Sequence, residues 1–289
     1  TSMKAVFDLD GFVYRCGFAA EKLYYDVYDK EQGEESPPVA SFRYAKECKE
    51  WLNGQEGYNI EKRREVEPVS QAITSLNYAV RNVLRALNTD DYVGFLGGKG
   101  NFRNTIATIK GYKANRIDVA KPVHYEALRK YLVKVYHAQV VDGIEADDAC
   151  GIVQELEGTC IVSNDKDMRT IPGWHFNWVT RDEEYIDALQ STRNFYRQLL
   201  QGDSADNIPG LYHVTGRKCT AKSLQGIDKL NTPEMMYSYV VESYIESLHI
   251  ISKEELDGAY NAVHSALYEI GSLLWIQRTG GLVWERPIY

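Results

Sequence analysis

Long apolar runs are missing from this 289-residue sequence, and so are the closely spaced cysteines of zinc or redox motifs. No apolar stretch approaches the roughly 20 residues that cross a membrane. The first stretch is interrupted by Asp8 and Asp10, which argues against a signal peptide. The five cysteines are odd in number, lie far apart and show no CxxC spacing, which favours reduced thiols. We therefore expect a cytoplasmic protein without membrane contact.

An excess of positive charge is also missing overall, since 33 Lys and Arg residues face 41 Asp and Glu residues and the formal net charge is −8. Locally the balance is reversed between residues 99 and 134, where the acidic residues are Asp118 and Glu126. The cationic residues of that stretch are Lys99, Arg103, Lys110, Lys113, Arg116, Lys121, Arg129, Lys130 and Lys134. Because phosphate binding depends on the local field and not on the net charge, a nucleic-acid partner is compatible with this sequence.

Short apolar runs alternate with amphipathic segments over the first 190 residues. The runs predict strands at Lys4–Leu9, Tyr92–Leu96, Ala138–Val141, Thr159–Ser163 and Trp174–Val179. Helices are predicted at Phe12–Tyr28, Val39–Gly54, Val69–Asn88, Pro122–Tyr136 and Ala146–Leu156, with a charged linker at Glu61–Pro68. Strands that alternate with helices indicate an α/β fold with a mostly parallel sheet.

The pattern becomes wholly helical after about residue 190. The predicted helices are Arg193–Leu200, Ala221–Gln225, Pro233–Leu248 and Glu254–Leu274. We therefore expect a core at residues 3–190 and a helical region at residues 191–289.

Acidic residues cluster where the predicted strands end. Asp8 ends the first strand, Glu145 follows the third, and Asp165 follows the fourth. In a parallel sheet these strand ends lie at the edge that binds ligands. Helix-dipole interactions could explain acids that open a helix, and turn formation could explain Asp203 and Asp206 in GDSADNIPG. Convergence on hard divalent cations, Mg²⁺ or Mn²⁺, explains all the clusters together.

The ordered motifs VFD, EADD, SNDKD and GDSADNIPG resemble the 5′-nuclease family of flap endonucleases and bacteriophage 5′→3′ exonucleases. The resemblance implies a PIN-like α/β core with a central, mostly parallel sheet flanked by helices. It also implies a helical arch at about residues 99–121 and a helix–hairpin–helix-type element that binds duplex phosphates and K⁺. Two metal ions are implied, with the ligands Asp8, Glu145, Asp147, Asp148, Asp165, Asp167, Asp203 and Asp206. Asp10 has no counterpart in the family pattern.

The segment YKANR resembles the family sequence at the base of the arch. There Lys113 and Arg116 would contact the reacting phosphate, and Tyr112 could stack on a base. The catalytic residues implied are Lys113, Arg116, Asp8, Asp147 and Asp165. The DNA-binding residues implied are Lys99, Arg103, Lys110, Tyr112, Lys113, Arg116, Arg217, Lys218 and Lys222.

Two positions depart from the family pattern. Gly98 stands where a further metal-binding aspartate is usual, which should weaken or reposition one metal. After DNIP, His213 replaces a glycine and the spacing to Gly216 is stretched, which affects the backbone contacts with phosphate and K⁺.

The resemblance predicts a monomeric 5′→3′ exonuclease and flap endonuclease. Its expected substrate is DNA with a free 5′ end, flap or nick, and also RNA in RNA–DNA hybrids, in a host cytoplasm if a phage encodes it. Two alternatives remain open at this point. VFDLDG also resembles the nucleophile motif of haloacid-dehalogenase phosphatases, with Asp8 as nucleophile and Asp10 as general acid. The loss of a carboxylate at Gly98 would also suit a nucleic-acid-binding protein of the nuclease fold with weakened catalysis.

Overall fold

The computed structural model describes residues 3–33 and 35–287, and these form two compact units. The larger unit comprises residues 3–11, Arg81–Ala120 and 133–287, and the smaller comprises Phe12–Val80 and Lys121–Leu132. The C-terminal helices, from Ala188 onward, belong to the same compact unit as the main sheet.

Nine strands lie in the described part of the chain. They are β1 (Lys4–Asp8), β2 (Glu21–Asp29), β3 (Ala40–Phe42), β4 (Tyr58–Val66), β5 (Tyr92–Gly97), β6 (Gln139–Val141), β7 (Thr159–Val162), β8 (Gly173–Phe176) and β9 (Glu183–Ile186).

Eleven α-helices accompany them in the same residues, and none is long and apolar enough to span a membrane. They are α1 (Asp10–Ala19), α2 (Ala45–Leu52), α3 (Val69–Ala86), α4 (Arg103–Ile106), α5 (Tyr125–Tyr136), α6 (Ala146–Val153), α7 (Ala188–Gln201), α8 (Leu211–Thr215), α9 (Ala221–Ile227), α10 (Pro233–Glu246) and α11 (Lys253–Leu274). Two 3₁₀ helices cover Ala114–Arg116 and Lys166–Thr170.

The sheet of the larger unit has the strand order β6-β5-β1-β7-β8-β9. All neighbouring strands are parallel except β8 and β9, which are antiparallel. The prediction of a mostly parallel sheet is confirmed, and only the edge strand β9 was missed. Because β1, β5, β6 and β7 run in one direction, their carboxyl ends lie at one edge of the sheet, which is where the acidic motifs follow them.

Two apolar cores stabilise the larger unit. One lies between the sheet and α6, and its fully buried members include Val6, Cys150 and Ile161. The other joins α7, α10 and α11 around Tyr237 and Leu267. Burial of each large apolar side chain contributes about 1.5–3 kcal/mol to the stability of the fold. The strands and helices that carry the site residues are therefore held in place by both cores.

The smaller unit contains an antiparallel sheet of order β3-β2-β4, and it corrects three predictions. The helix expected at Phe12–Tyr28 ends at Ala19, and the linker expected at Glu61–Pro68 is largely strand β4. Aromatic residues of β2 favour a strand, and full pairing of β2 with β4 satisfies the backbone of both. The helix expected at Val39–Gly54 is likewise strand β3 followed by the shorter helix α2.

Candidate active site

The carboxylates of the strand ends approach one another within the larger unit. Asp8 ends β1 and accepts a hydrogen bond from Ser163 Oγ at 3.0 Å, just after β7. Asp165 caps the 3₁₀ helix that follows, where its Oδ1 accepts from Asp167 N at 2.9 Å. The parallel topology thus places residues 157 positions apart in sequence, Asp8 and Asp165, close enough to influence each other's charge.

Five carboxylates line one small cleft, together with Gln198 and Tyr112. They are Glu145, Asp147, Asp167, Asp203 and Asp206. The open volume is about 20 Å³, and roughly 10–15 Å³ is enough for one water molecule. The sequence motifs EADD, NDKD and GDSAD therefore meet at a single space of the size of one water or one ion.

Mutual repulsion and burial change the protonation of this group. Burial, followed by the charge of Asp10, raises the pKa of Asp8 to about 7. Burial, followed by the charge of Asp165, raises the pKa of Asp167 to about 8. Burial also raises the pKa of Asp147 well above its usual range, with Glu145 as the next cause. A cation between these groups would relieve the repulsion.

Two cationic side chains of YKANR already bind the carboxylates. Lys113 Nζ lies 2.5 Å from Glu145 Oε1 and 3.8 Å from Asp206 Oδ2, and Arg116 NH2 lies 2.6 Å from Asp206 Oδ1. Burial lowers the pKa of Lys113, but the charges of Glu145 and Asp206 outweigh burial, so its pKa is raised overall. Lys113 therefore stays protonated at the edge of the cleft.

Arg103 and Asp148 have a structural role that the sequence did not reveal. Arg103, predicted to bind DNA, is 1% exposed, so its guanidinium lies inside the protein and not at the surface. Its guanidinium forms a two-pronged pair with Asp148, at 2.6 and 2.8 Å, and also donates to the carbonyls of Leu273 and Trp275. Asp148 additionally accepts from the backbone N–H groups of Glu145 and Gln277. Four donors fill its lone pairs, so the prediction of Asp148 as a metal ligand does not fit this structure.

Tyr112 also differs from its predicted role. It is only 8% exposed, and its hydroxyl donates to Glu145 at 3.0 Å. A ring buried to this extent is not available to stack on a base. Together with Asn101, whose amide donates to Glu145 Oε1 at 2.9 Å, it orients the Glu145 carboxylate instead.

The segment expected to form a helical arch, residues 99–121, is mostly irregular and contains only α4 and a 3₁₀ turn as helical elements. Lys113 has a positive φ of 52°, which breaks any continuous helix there. Side chains of later residues hold the segment in place: the Glu269 carboxylate accepts from Thr108 N and Ile109 N, and Asn207 Nδ2 donates to Gly111 O.

Gly98 occupies a position that has no room for a side chain. A Cβ atom there would lie 2.5 Å from the carbonyl oxygen of Val141 and closer still to the carboxylate of Asp142. Asp142 Oδ1 accepts from Lys99 N at 2.8 Å and so closes the turn that follows β5. The aspartate that the family pattern expects at Gly98 is therefore sterically excluded, and the neighbouring carboxylate of Asp142 serves the turn.

Replacement of Gly98 by alanine is expected to destabilise the protein by about 1–3 kcal/mol, because backbone at β6 must move to admit the methyl group. The measurement is urea unfolding followed by circular dichroism. Gly258→Ala in α11 is the matched control, since a Cβ there meets nothing within 4 Å. That control should be neutral or stabilising by about 0.5–1 kcal/mol. An unchanged unfolding midpoint for Gly98→Ala would mean that the turn adapts freely.

The predicted DNA-binding residues of the C-terminal region lie on two short helices. Helices α8 and α9 are joined by a turn that starts at Gly216, whose φ is +79°. Arg217, Lys218 and Lys222 are exposed on this turn and on α9, and Lys99 is exposed beyond β5. Lys110 Nζ lies 3.3 Å from His213 Nε2. These cations lie at the surface, as contact with phosphate requires.

Within residues 3–33 and 35–287, no three acidic, histidine or cysteine side chains form a ready-made set of metal ligands. Two of the carboxylates that line the cleft are instead paired with cationic side chains: Glu145 with Lys113, and Asp206 with Arg116. Sequence reasoning missed Asn101, Gln198, Ser163 and Asp142. Their residue types are common in loops and helices, and no spacing pattern sets them apart.

Comparison with solved structures identifies the fold. A mutant of the T5 5′-exonuclease matches with a TM-score of 0.54 and 13% identity, covering 96% of this chain and 89% of that one. A T5 protein co-crystallised with metal ions matches with a TM-score of 0.53 and 16% identity, covering 95% and 88%. The fold is that of the T5 5′-exonuclease. No protein-family model and no curated protein matches the sequence. The α/β core with a mostly parallel central sheet, which the motifs led us to expect, is thereby confirmed.

Proposed function

We propose that this chain is a 5′-nuclease that hydrolyses DNA phosphodiesters with the help of divalent metal ions. The observation that carries the proposal is the meeting of five carboxylates at one cleft with Lys113 and Arg116 at its edge. A cluster of anions beside fixed cations suits a phosphate that approaches together with metal. The shared fold with a 5′-exonuclease and the order of the motifs support the same function.

The donor set suits Mg²⁺ or Mn²⁺, because it consists of carboxylate oxygens. Asp8, Glu145 and Asp147 would hold one ion, and Asp165, Asp167, Asp203 and Asp206 would hold the other. Such ions activate water and stabilise charge on the phosphate and on the leaving 3′ oxygen.

The protein's own groups position the reactants. Lys113 and Arg116 would donate to the phosphate oxygens, once the phosphate competes for them with Glu145 and Asp206. Tyr112 and Asn101 hold the Glu145 carboxylate in one orientation. Asp148 and Arg103 fix the first turn of α6, and this fixes Glu145 and Asp147 relative to the sheet. Preorganisation of this kind avoids the energetic cost of reorientation during the reaction.

The element formed by α8, the turn at Gly216 and α9 would bind duplex phosphates. Support comes from the exposed cations Arg217, Lys218 and Lys222 and from backbone N–H groups at the turn. K⁺ at this turn, action on RNA in RNA–DNA hybrids, a monomeric state and residence in the cytoplasm belong to the same proposal. The phosphatase alternative has less support, because both oxygens of Asp10 face the backbone N–H of Gly97, at 3.1 and 3.2 Å.

The proposal predicts short 5′ products from 5′-labelled duplex and flapped DNA in the presence of Mg²⁺ or Mn²⁺. Chelation with EDTA should abolish cleavage, and Asp167→Asn should lower it at least 100-fold, by analogy with the loss of a transition-state-stabilising group. Product lengths read on a denaturing gel separate exonuclease from flap-endonuclease activity. Binding without cleavage would indicate a catalytically inactive member of the fold. Hydrolysis of p-nitrophenyl phosphate alone would indicate a phosphatase.

A further inference from the structure

Gln198 brings a neutral amide into the carboxylate cleft. It lies in the last turn of α7 and lines the cleft with Asp167 and Asp203. Its Nε2 donates to Asp167 Oδ1 at 2.7 Å. When Asp167 is ionised, as it is when it binds a cation, its oxygens only accept, so the amide nitrogen faces Asp167 and this fixes the direction of the amide oxygen.

The oxygen of this amide is buried and has no hydrogen-bond partner among the described residues. Buried polar atoms in folded proteins are nearly always paired with protein, water or an ion, so an unpaired acceptor calls for a partner. The acidic side chains around the cleft are acceptors when ionised, and they cannot satisfy another oxygen.

A cation satisfies this oxygen and the neighbouring carboxylates at once. Amide oxygens are ordinary ligands of hard divalent cations, alongside carboxylates. The cleft admits one particle of the size of a water or an ion. We propose that Gln198 Oε1 is an oxygen ligand, direct or through one water, of the cation held by Asp167 and Asp203. The inference rests on the proposed function, since it concerns a metal of that same site.

Gln198 also has a second action, as a donor that positions Asp167. The two actions can be separated by substitution. Gln198→Met removes both the donor and the oxygen at similar length. Gln198→Glu removes the donor and keeps an oxygen ligand with added negative charge. Gln190→Met is the matched control, because Gln190 lies on the same helix and its Nε2 donates to Asn194 Oδ1 at 2.8 Å, away from the cleft.

The test is a titration of the metal-free protein with Mn²⁺, with free Mn²⁺ measured by electron paramagnetic resonance and no DNA present. We expect Gln198→Met to raise the dissociation constant for Mn²⁺ at one site roughly tenfold, which is the usual effect of losing such a contact. Gln198→Glu should bind at least as tightly as the natural protein, and Gln190→Met should bind equally. Thermal unfolding of each metal-free variant confirms that it is folded.

The Mn²⁺ affinities of the variants distinguish the role of Gln198 as a ligand from its role in positioning Asp167. Equal Mn²⁺ affinity of Gln198→Met and the natural protein overturns the inference and leaves the proposed function standing. Weak binding by both Gln198→Met and Gln198→Glu overturns it as well, since the amide then acts only by orienting Asp167. A natural protein that binds no Mn²⁺ and cleaves no DNA overturns the proposed function, and the inference with it.

Discussion

Replacement of Arg103 by methionine is expected to destabilise the protein by about 3–5 kcal/mol, because it leaves the buried charge of Asp148 without its partner. The Asp148 side chain is fully buried, and Arg103 is its only cationic partner among the ion pairs of the described residues. The same change frees the carbonyls of Leu273 and Trp275, which are then unpaired. Urea unfolding of the metal-free protein measures the loss.

An exposed pair of the same chemistry provides the control for Arg103. Arg169 forms a two-pronged contact with Glu184, at 2.6 and 3.1 Å, with nearly half of each side chain exposed. Arg169→Met should cost at most about 1 kcal/mol, because water screens and replaces this contact. Equal losses for Arg103→Met and Arg169→Met would show that burial of the Asp148 pair contributes nothing special.

Replacement of Lys113 by alanine is expected to lower the turnover number for flap cleavage roughly 10²–10³-fold, as loss of one fixed donor to a developing anion does. The affinity for duplex DNA should change little, because Lys113 is one cation among many along residues 99–134. The backbone fixes its position: Lys113 N donates to Asp206 O at 2.9 Å. Single-turnover kinetics and a separate binding titration in Ca²⁺ measure the two quantities.

Lys110→Ala is the matched control for Lys113, because Lys110 lies on the same segment and contacts His213, outside the carboxylate cleft. This variant should bind DNA more weakly, with a smaller dependence on salt, and should turn over bound substrate at nearly the natural rate. Equal losses of affinity and turnover in Lys113→Ala would assign Lys113 to general phosphate binding.

The location of the site could be predicted from the sequence because parallel strands impose it. Once β1 and β7 were recognised as buried runs, Asp8 and Asp165 had to follow them at the same edge of the sheet. Helix α3 was predicted nearly to its ends, since its apolar period of 3.6 is sustained over 18 residues. The local sequence pattern was sufficient to predict an element such as α3, which buries a single face.

Prediction failed where long-range pairing decides the conformation. The charged residues of β4 carry no apolar alternation, and only their pairing with β2 makes them a strand. Asp147 and Asp148 are adjacent and chemically identical, and yet one lines the cleft while the other is enclosed by Arg103. In the sequence, nothing distinguishes Arg103 from the other cationic residues of the basic stretch. The different roles of Asp147, Asp148 and Arg103 depend on which of them is buried, and their burial is determined by residues that are distant in sequence.

The anchors of residues 99–121 determine the order in which this segment could detach from the rest of its unit. Arg103 is held by buried contacts, whereas Thr108 and Ile109 are held by Glu269 at the surface. Arg116 and Asn115 are bound to the 204–206 turn by exposed contacts. Tyr112 is a second buried anchor, because its ring is 8% exposed and its hydroxyl donates to Glu145. Any opening of the segment would therefore start at the exposed stretch around Thr108 and Ile109, between the fixed side chains of Arg103 and Tyr112.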